Sequence, residues 1–336
     1  MSVIAREKRR SVLLTIAGVR ETGISIFIVL LVIVVSLRSP YFLTVDNIKD
    51  VLMDISILSI VAIGEATVII TRGIDLSVAS TLAFAGMAVG MTISSHPEIP
   101  PGGALLMGMG IGAVLGSVNG LLITKGRIPP IITTLGTMSI YRGLVFAISG
   151  GAWVDAHEMP EEFVAMSKGD VWFIPTLVLL ALIVAVIFYY FLNHTRSGRE
   201  MFALGSNPEG ARVVGIRVDR NLFLAYLISG ILSGMGGVLW ISRYASAQSD
   251  TAVGFELQAI AAAVVGGVNI FGGSGTLPGI LLGSLLLGIV VNALNLVRIS
   301  PFWKLAVQGL IILAAVVSDA LLSRRLQQSR SMEGIS

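Results

Sequence analysis

Polar residues along most of this chain are brief punctuation between apolar runs of about twenty residues, the length a helix needs to cross the hydrocarbon core of a bilayer. Ten such runs stand out, at approximately 22–38, 53–71, 75–94, 103–124, 130–149, 173–193, 221–242, 256–271, 276–298 and 303–322. The eighth is studded with glycine ("AAAVVGGVNIFGG") and is expected to be broken or only partly spanning. The loops that remain are too short to form a soluble catalytic domain.

Composition strengthens this reading. Of 336 residues, 54% are hydrophobic and 13% charged, against about 25% charged in soluble domains. The expectation is a single all-α integral membrane domain over 1–336. The chain has no cysteine, which excludes disulfides, thiolate chemistry and cysteine metal sites. The N-terminal "REKRR" is followed by an apolar run without a small-residue cleavage site, so that run reads as a retained helix. A net charge of +3 invites a nucleic-acid reading, but the basic residues sort by membrane side instead of forming a patch. With ten spans, sixteen of the 23 Lys and Arg fall on the side of the N-terminus and six on the other, with Arg142 inside a span. The positive-inside rule then places both termini in the cytoplasm.

Two stretches echo each other. "GIDLSVAS", from Gly73, opens the third run from the cytoplasmic side, and "GFELQAIA", from Gly254, opens the eighth from the outside. Similarly, "VNGLLITKGRIPPII" from Val118 matches "VNALNLVRISPFWKL" from Val291, each an Asn in a helix, a basic residue, a proline break and a new helix. Two matches in the same order on opposite faces predict an inverted repeat of runs two to five on seven to ten, an architecture common in transporters. Asp75 and Glu256 then read as helix N-terminal caps, where unpaired N–H groups and the positive dipole end favour a carboxylate. Glu256, the poorer cap type, is placed in the first turn.

Catalytic signatures are missing. No glycine loop ends in Gly-Lys-Ser/Thr, and "TKGR" and "SKGD" do not fit that pattern. His96, His157 and His194 lack ligand spacing, so no metal site is expected. The longest cytoplasmic loop, 193–221, carries "ALGSNPEGARVVGI". Ser206 or Asn207 as N-cap, Pro208 or Glu209 in the first turn and Gly215 as the stop predict a helix of about two turns.

"Glu209-Gly-Ala-x-x-x-Gly215" resembles the EAA-x-x-x-G coupling motif of ABC importer permeases, with Gly210 in place of the second alanine. "GIDLSVAS", "IPPIITTLGTMSIYRG" and "ELQAIAAAVVGGVNIFGGSG" are similar, in the same order, to the ribose/xylose/arabinose class, which includes autoinducer-2 and rhamnose permeases. The resemblance covers nearly the whole chain; Ala79 stands where the class often has Gly. It implies a type II ABC importer fold in a bacterial inner membrane. Two permease subunits, identical or paralogous, would work with cytoplasmic ATPases and a periplasmic binding protein. ATP and Mg would be bound on the ATPase, with no cofactor and no catalysis in this chain.

On that basis residues 206–211 and 215 couple to the ATPase. The outer loop 149–172, with Trp153, Asp155, Glu158, Glu161 and Glu162, docks the binding protein. Glu65, Asn119, Thr133, Thr134, Tyr141, Arg142, Asn292 and Asn295 are the candidate pathway residues, being polar groups at helix positions. Arg142 and Glu65 lie at similar depth and are expected to pair, because an isolated charge in the bilayer core is costly. The cargo would be a sugar or sugar-like polar solute. The alternatives are a branched-chain amino-acid permease, whose zwitterionic cargo Arg142 and Glu65 could balance, or a stand-alone channel or ion-coupled carrier.

The cysteine-free sequence allows a direct check of orientation. A cysteine at position 160 should react with an impermeant thiol reagent in intact cells with a permeabilised outer membrane, and one at position 210 should not; the reverse pattern would invert the topology.

Overall fold

Inside a bilayer every peptide group must find a partner within the protein, and the helix is the local solution. In a computed structural model, residues 20–297 are described together with isolated helical positions between 303 and 317. Eight helices among the described residues are long and apolar enough to span: α1 (Arg20–Arg38), α2 (Val45–Ile70), α3 (Val78–Ser95), α4 (Pro101–Thr124), α5 (Pro130–Ser149), α7 (Thr176–His194), α10 (Val218–Tyr244) and α12 (Leu277–Leu296). Shorter helices are α6 (Glu161–Lys168), α8 (Arg196–Ser206), α9 (Pro208–Val213) and α11 (Phe255–Val265). A hairpin of β1 (Asp170–Val171) and β2 (Ile174–Pro175) precedes α7. The tenth predicted run, 303–322, lies outside the described residues apart from those isolated positions.

Local chemistry sets the boundaries. Pro100, Pro129 and Pro175 precede α4, α5 and α7 in extended conformation, with φ of −67°, −54° and −56°, so that each helix starts abruptly after a residue with no N–H to satisfy. Thr44 and Thr276 cap α2 and α12 by accepting from the N–H of Asn47 and Gly279. The eighth run is indeed interrupted: α11 stops at Gly266, and 266–276 continues without regular helix to α12. The third run corrects its expected start, because 71–77 is not helical and α3 begins only at Val78. Loop 193–221 held an unforeseen helix, α8, whose cap Thr195 accepts from the N–H of Gly198 at 3.1 Å.

At the centre lies α2, almost entirely buried from Ser56 to Ile70. The tightest packing joins α10 to α4. A Cβ on Gly112 would collide with the Gly230 carbonyl, one on Gly230 with the Gly112 carbonyl, and one on Gly234 with the Gly108 carbonyl. Gly108, Gly112 and Gly116, at four-residue spacing on α4, thus let two backbones touch, the small-residue device of membrane helix pairs. The predicted repeat has a counterpart in the packing: α10 lies on α3 and α4, while α2 lies on α11 and α12. Loop 149–172 is not a bare connector. Phe163 of α6 is buried, its carbonyl accepts from Ser242 Oγ at 2.7 Å, and Val154 pairs with Ala247.

Gly112→Val should therefore lower the thermal stability of the detergent-solubilised protein by about 1–3 kcal/mol or more, the cost of overpacking. Gly110→Ala on the same helix, where a Cβ meets nothing within 4 Å, should stay within about 0.5 kcal/mol of the parent. Equal effects at the two positions would refute the backbone contact.

Candidate functional site

The stretch 71–77 is where the chain leaves helical geometry in the middle of the protein, so its polar groups need side-chain partners. Thr71, Arg72 and Gly73 donate back to the carbonyls of Val68 and Ile69. Glu65 Oε1 accepts from the Asp75 N–H at 3.1 Å, and the Ile74 carbonyl accepts from Thr134 Oγ1 at 3.0 Å. Asp75 takes three donors: Ser77 N–H at 3.0 Å and Ser77 Oγ at 2.6 Å on Oδ1, and Ser229 Oγ at 2.9 Å on Oδ2. Asn119 Nδ2 donates to Ser77 Oγ at 2.8 Å, and Tyr141 Oη donates to the Leu115 carbonyl at 2.9 Å. One buried carboxylate thereby ties α3, α4 and α10 to the turn after α2. The N-cap position of α3 is Ser77, not Asp75. Asp75 does receive an N–H at that terminus, but from two residues further out. Glu256 lies in the first turn of α11, with Gly254 at the cap position.

Among the expected pathway residues, Glu65, Asn119, Thr134 and Tyr141 are buried and hydrogen-bonded within this network. Thr133 is buried beside them. Asn292 pairs with Asn47 through two amide bonds of 2.8 and 3.1 Å, joining α12 to α2. Asn295 is exposed and lines a small cleft with Asp54 and Tyr244.

Glu65 and Arg142 do not pair. Arg142 instead donates from Nη1 to the carbonyls of Thr251 at 2.7 Å and Ser249 at 3.2 Å. The depth argument failed because depth says nothing of azimuth: Glu65 faces the buried turn, whereas Arg142 faces the loop after α10. Arg243 bridges Asp50 at 2.7 Å and so fastens the end of α10 to α2.

The segment 206–215 has the predicted form, and of the two cap candidates it uses Asn207. Asn207 is the N-cap of α9, accepting from the Gly210 N–H at 2.9 Å, and Pro208 fills the first turn with Glu209. Ser206 does not cap α9. It ends α8, and its Oγ donates to the Phe202 and Gly273 carbonyls. Gly215 adopts φ +82°, closing α9 as expected. Ala211 faces inward, while Val213 and Val214 are 87% and 75% exposed.

Arg72 anchors the start of this segment: Nε donates to the Gly205 carbonyl at 2.6 Å and Nη2 to that of Ser206 at 2.8 Å. Gly273 N–H donates to the Ile70 carbonyl at 2.9 Å in the same junction. The end of α2, the end of α8 and the loop after α11 thus meet just before α9. Glu200 fixes α8 sideways; hydrogen bonds from Asn221 at 2.9 Å and Arg196 at 2.6 Å hold its carboxyl below the usual range. At the opposite end of the bundle, Trp153, Asp155, Glu158, Glu161 and Glu162 are all exposed, and Glu158 closes on the Asp155 N–H at 2.8 Å.

Comparison with known proteins is direct. Residues 47–316 match the family described as the permease component of the branched-chain amino acid transport system. The chain belongs to this permease family. Within it, the chain is 36% identical to the ribose import permease of Escherichia coli K12 over 307 residues, 91% of this chain and 95% of the relative. It is 35% identical to the D-allose transport system permease of the same strain over 301 residues, 89% and 91% of the two chains. The autoinducer 2 import permease of Enterobacter sp. 638 is 34% identical over 307 residues, 91% and 88%. No solved structure matches it. The permease is thus a multi-pass membrane protein of the ABC import type.

The buried turn of the permease offers a test. Asp75→Ala strands the Ser77 and Ser229 donors and should lower thermal stability in detergent by about 1–3 kcal/mol or more. Glu65→Gln keeps an oxygen for the Asp75 N–H and should cost much less than Glu65→Ala. Matching losses for the two Glu65 variants would show that the acid itself is required.

Proposed function

We propose that the chain is the membrane subunit of a binding-protein-dependent ABC importer that carries a sugar or sugar-like polar solute into the cytoplasm. ATP would be hydrolysed on a separate subunit. Permeases named for ribose, allose and autoinducer 2 align over about nine-tenths of this chain, which favours a polyhydroxylated cargo over an amino acid. The observation that carries the mechanism is α9, a capped short helix with exposed Val213 and Val214, held by Arg72 to the end of the central helix.

A cytoplasmic ATPase would grip α9 as a projecting knob. Displacement of α9 would pass through the 70–72, 205–206 and 272–273 junction into α2 and the loop after α11. A rigid connection is what such a lever needs, and short main-chain bonds supply it. The acidic outer loop around α6 would receive the basic surface of a periplasmic binding protein, and a second permease subunit, identical or paralogous, would complete the assembly. Both termini would lie in the cytoplasm of a bacterial inner membrane.

Glu209→Lys should abolish D-ribose uptake by the assembled importer while leaving membrane level and melting temperature unchanged, since Glu209 makes no ion pair among the described residues. Asn207→Ala, which removes the cap, should cost about 1 kcal/mol locally and weaken co-purification of the ATPase. Normal uptake by the Glu209→Lys protein, with the ATPase still bound, would sink the coupling assignment.

A further inference from the structure

Arg142 is a strongly basic side chain in the middle of α5, and its surroundings form a compact cavity. Arg142, Ser139 and Phe146 project from one face of α5 at positions three and four apart. Ser249 and Asp250 come from the loop after α10, and Glu256 from the first turn of α11. The cavity measures about 320 Å³, at the small end of the roughly 300–1,000 Å³ usual for small-molecule sites. It opens at the end of the bundle opposite α9.

Three features distinguish it from an ordinary surface dimple. The two Nη1 bonds from Arg142 to the Thr251 and Ser249 carbonyls hold the loop wall in place, while Nε and Nη2 find no acceptor among the described residues. Ser249 is 5% exposed and its Oγ has no partner there. Asp250 and Glu256 form neither a side-chain hydrogen bond nor an ion pair among the described residues. Hydrogen-bonding capacity is therefore assembled here and left unspent, beside the apolar side chains of Met138, Phe146 and Val253.

We propose that this cavity is a transient binding site for the transported solute, and that the solute is a neutral polyol ring. The ligand class rests on the function proposed above; the site rests on the geometry. Two carboxylates accept from hydroxyl groups, the free edge of the guanidinium and Ser249 Oγ donate to hydroxyl or ring oxygens, and Phe146 offers an apolar surface to ring carbons. One cation against two anions leaves net negative charge, which repels carboxylated or phosphorylated solutes. Because the cavity opens to its surroundings, solvent screening weakens these contacts, giving the weak binding that onward release requires. Glu256 thus acquires a role beyond its position at a helix terminus.

The test uses the complete importer in proteoliposomes, with D-ribose and D-allose as probes at concentrations that saturate the binding protein, so that the maximal rate reports on the permease. Asp250→Asn and Glu256→Gln preserve size and break no bond seen in the structure. Each should lower maximal uptake at least fivefold and change the ribose-to-allose ratio, with melting temperature and ATPase co-purification unchanged. A purely structural role would not move the ratio. Uptake within twofold of the parent for both variants and both sugars would overturn the site. If the parent importer moves neither sugar nor any other neutral monosaccharide, the sugar reading fails and the proposed ligand class falls with it.

Discussion

A turn between two spans, buried within the protein, leaves peptide groups that water cannot reach, and most of this architecture answers that difficulty. The break at 71–77 persists because Asp75 gathers Ser77 and Ser229 while Glu65 and Thr134 satisfy the main chain on either side. An unsatisfied buried donor costs about 1–3 kcal/mol, so the network has to be nearly complete to exist at all. Its members come from α2, α4, α5 and α10, which fixes those helices relative to one another.

Close backbone contact is the second requirement. Ser229 can reach Asp75 only because α10 lies near the centre of the bundle, packed on α4 through Gly108, Gly112, Gly230 and Gly234. Lipid tails are as apolar as leucine, so hydrophobicity does not choose one helix neighbour over another in this setting. Contact area and hydrogen bonds do, and glycine maximises the first. The same economy recurs at the junction before α9, where a Cβ on Gly205 would strike the Ile70 carbonyl.

The two ends of the molecule therefore differ in character. Around α9 the contacts are short, directional and end on main-chain carbonyls, suited to carrying a displacement into the bundle. Around Arg142 the polar groups are numerous and unspent, suited to meeting a solute that must leave again. Between them the buried polar residues are hydrogen-bonded to one another and to the main chain of neighbouring helices.

Much of this was legible in one dimension. Membrane spans follow from apolar run length, α9 from Asn207, Pro208 and Gly215, and the break near Gly266 from its glycines, because each depends on residues adjacent in sequence. The family resemblance likewise rested on contiguous motifs. What only the tertiary structure decided is partnership. Glu65 and Arg142 share a depth but face different neighbours, Ser206 turned to Gly273 instead of capping α9, and Asn119 bonds Ser77 across forty-two residues. Helix α8 is not legible in the sequence because its polar face resembles a loop, and only packing buries Met201 and Leu204. Run length and capping are local properties of the chain, whereas azimuth and partner choice arise only when helices pack, and hydropathy carries no record of them.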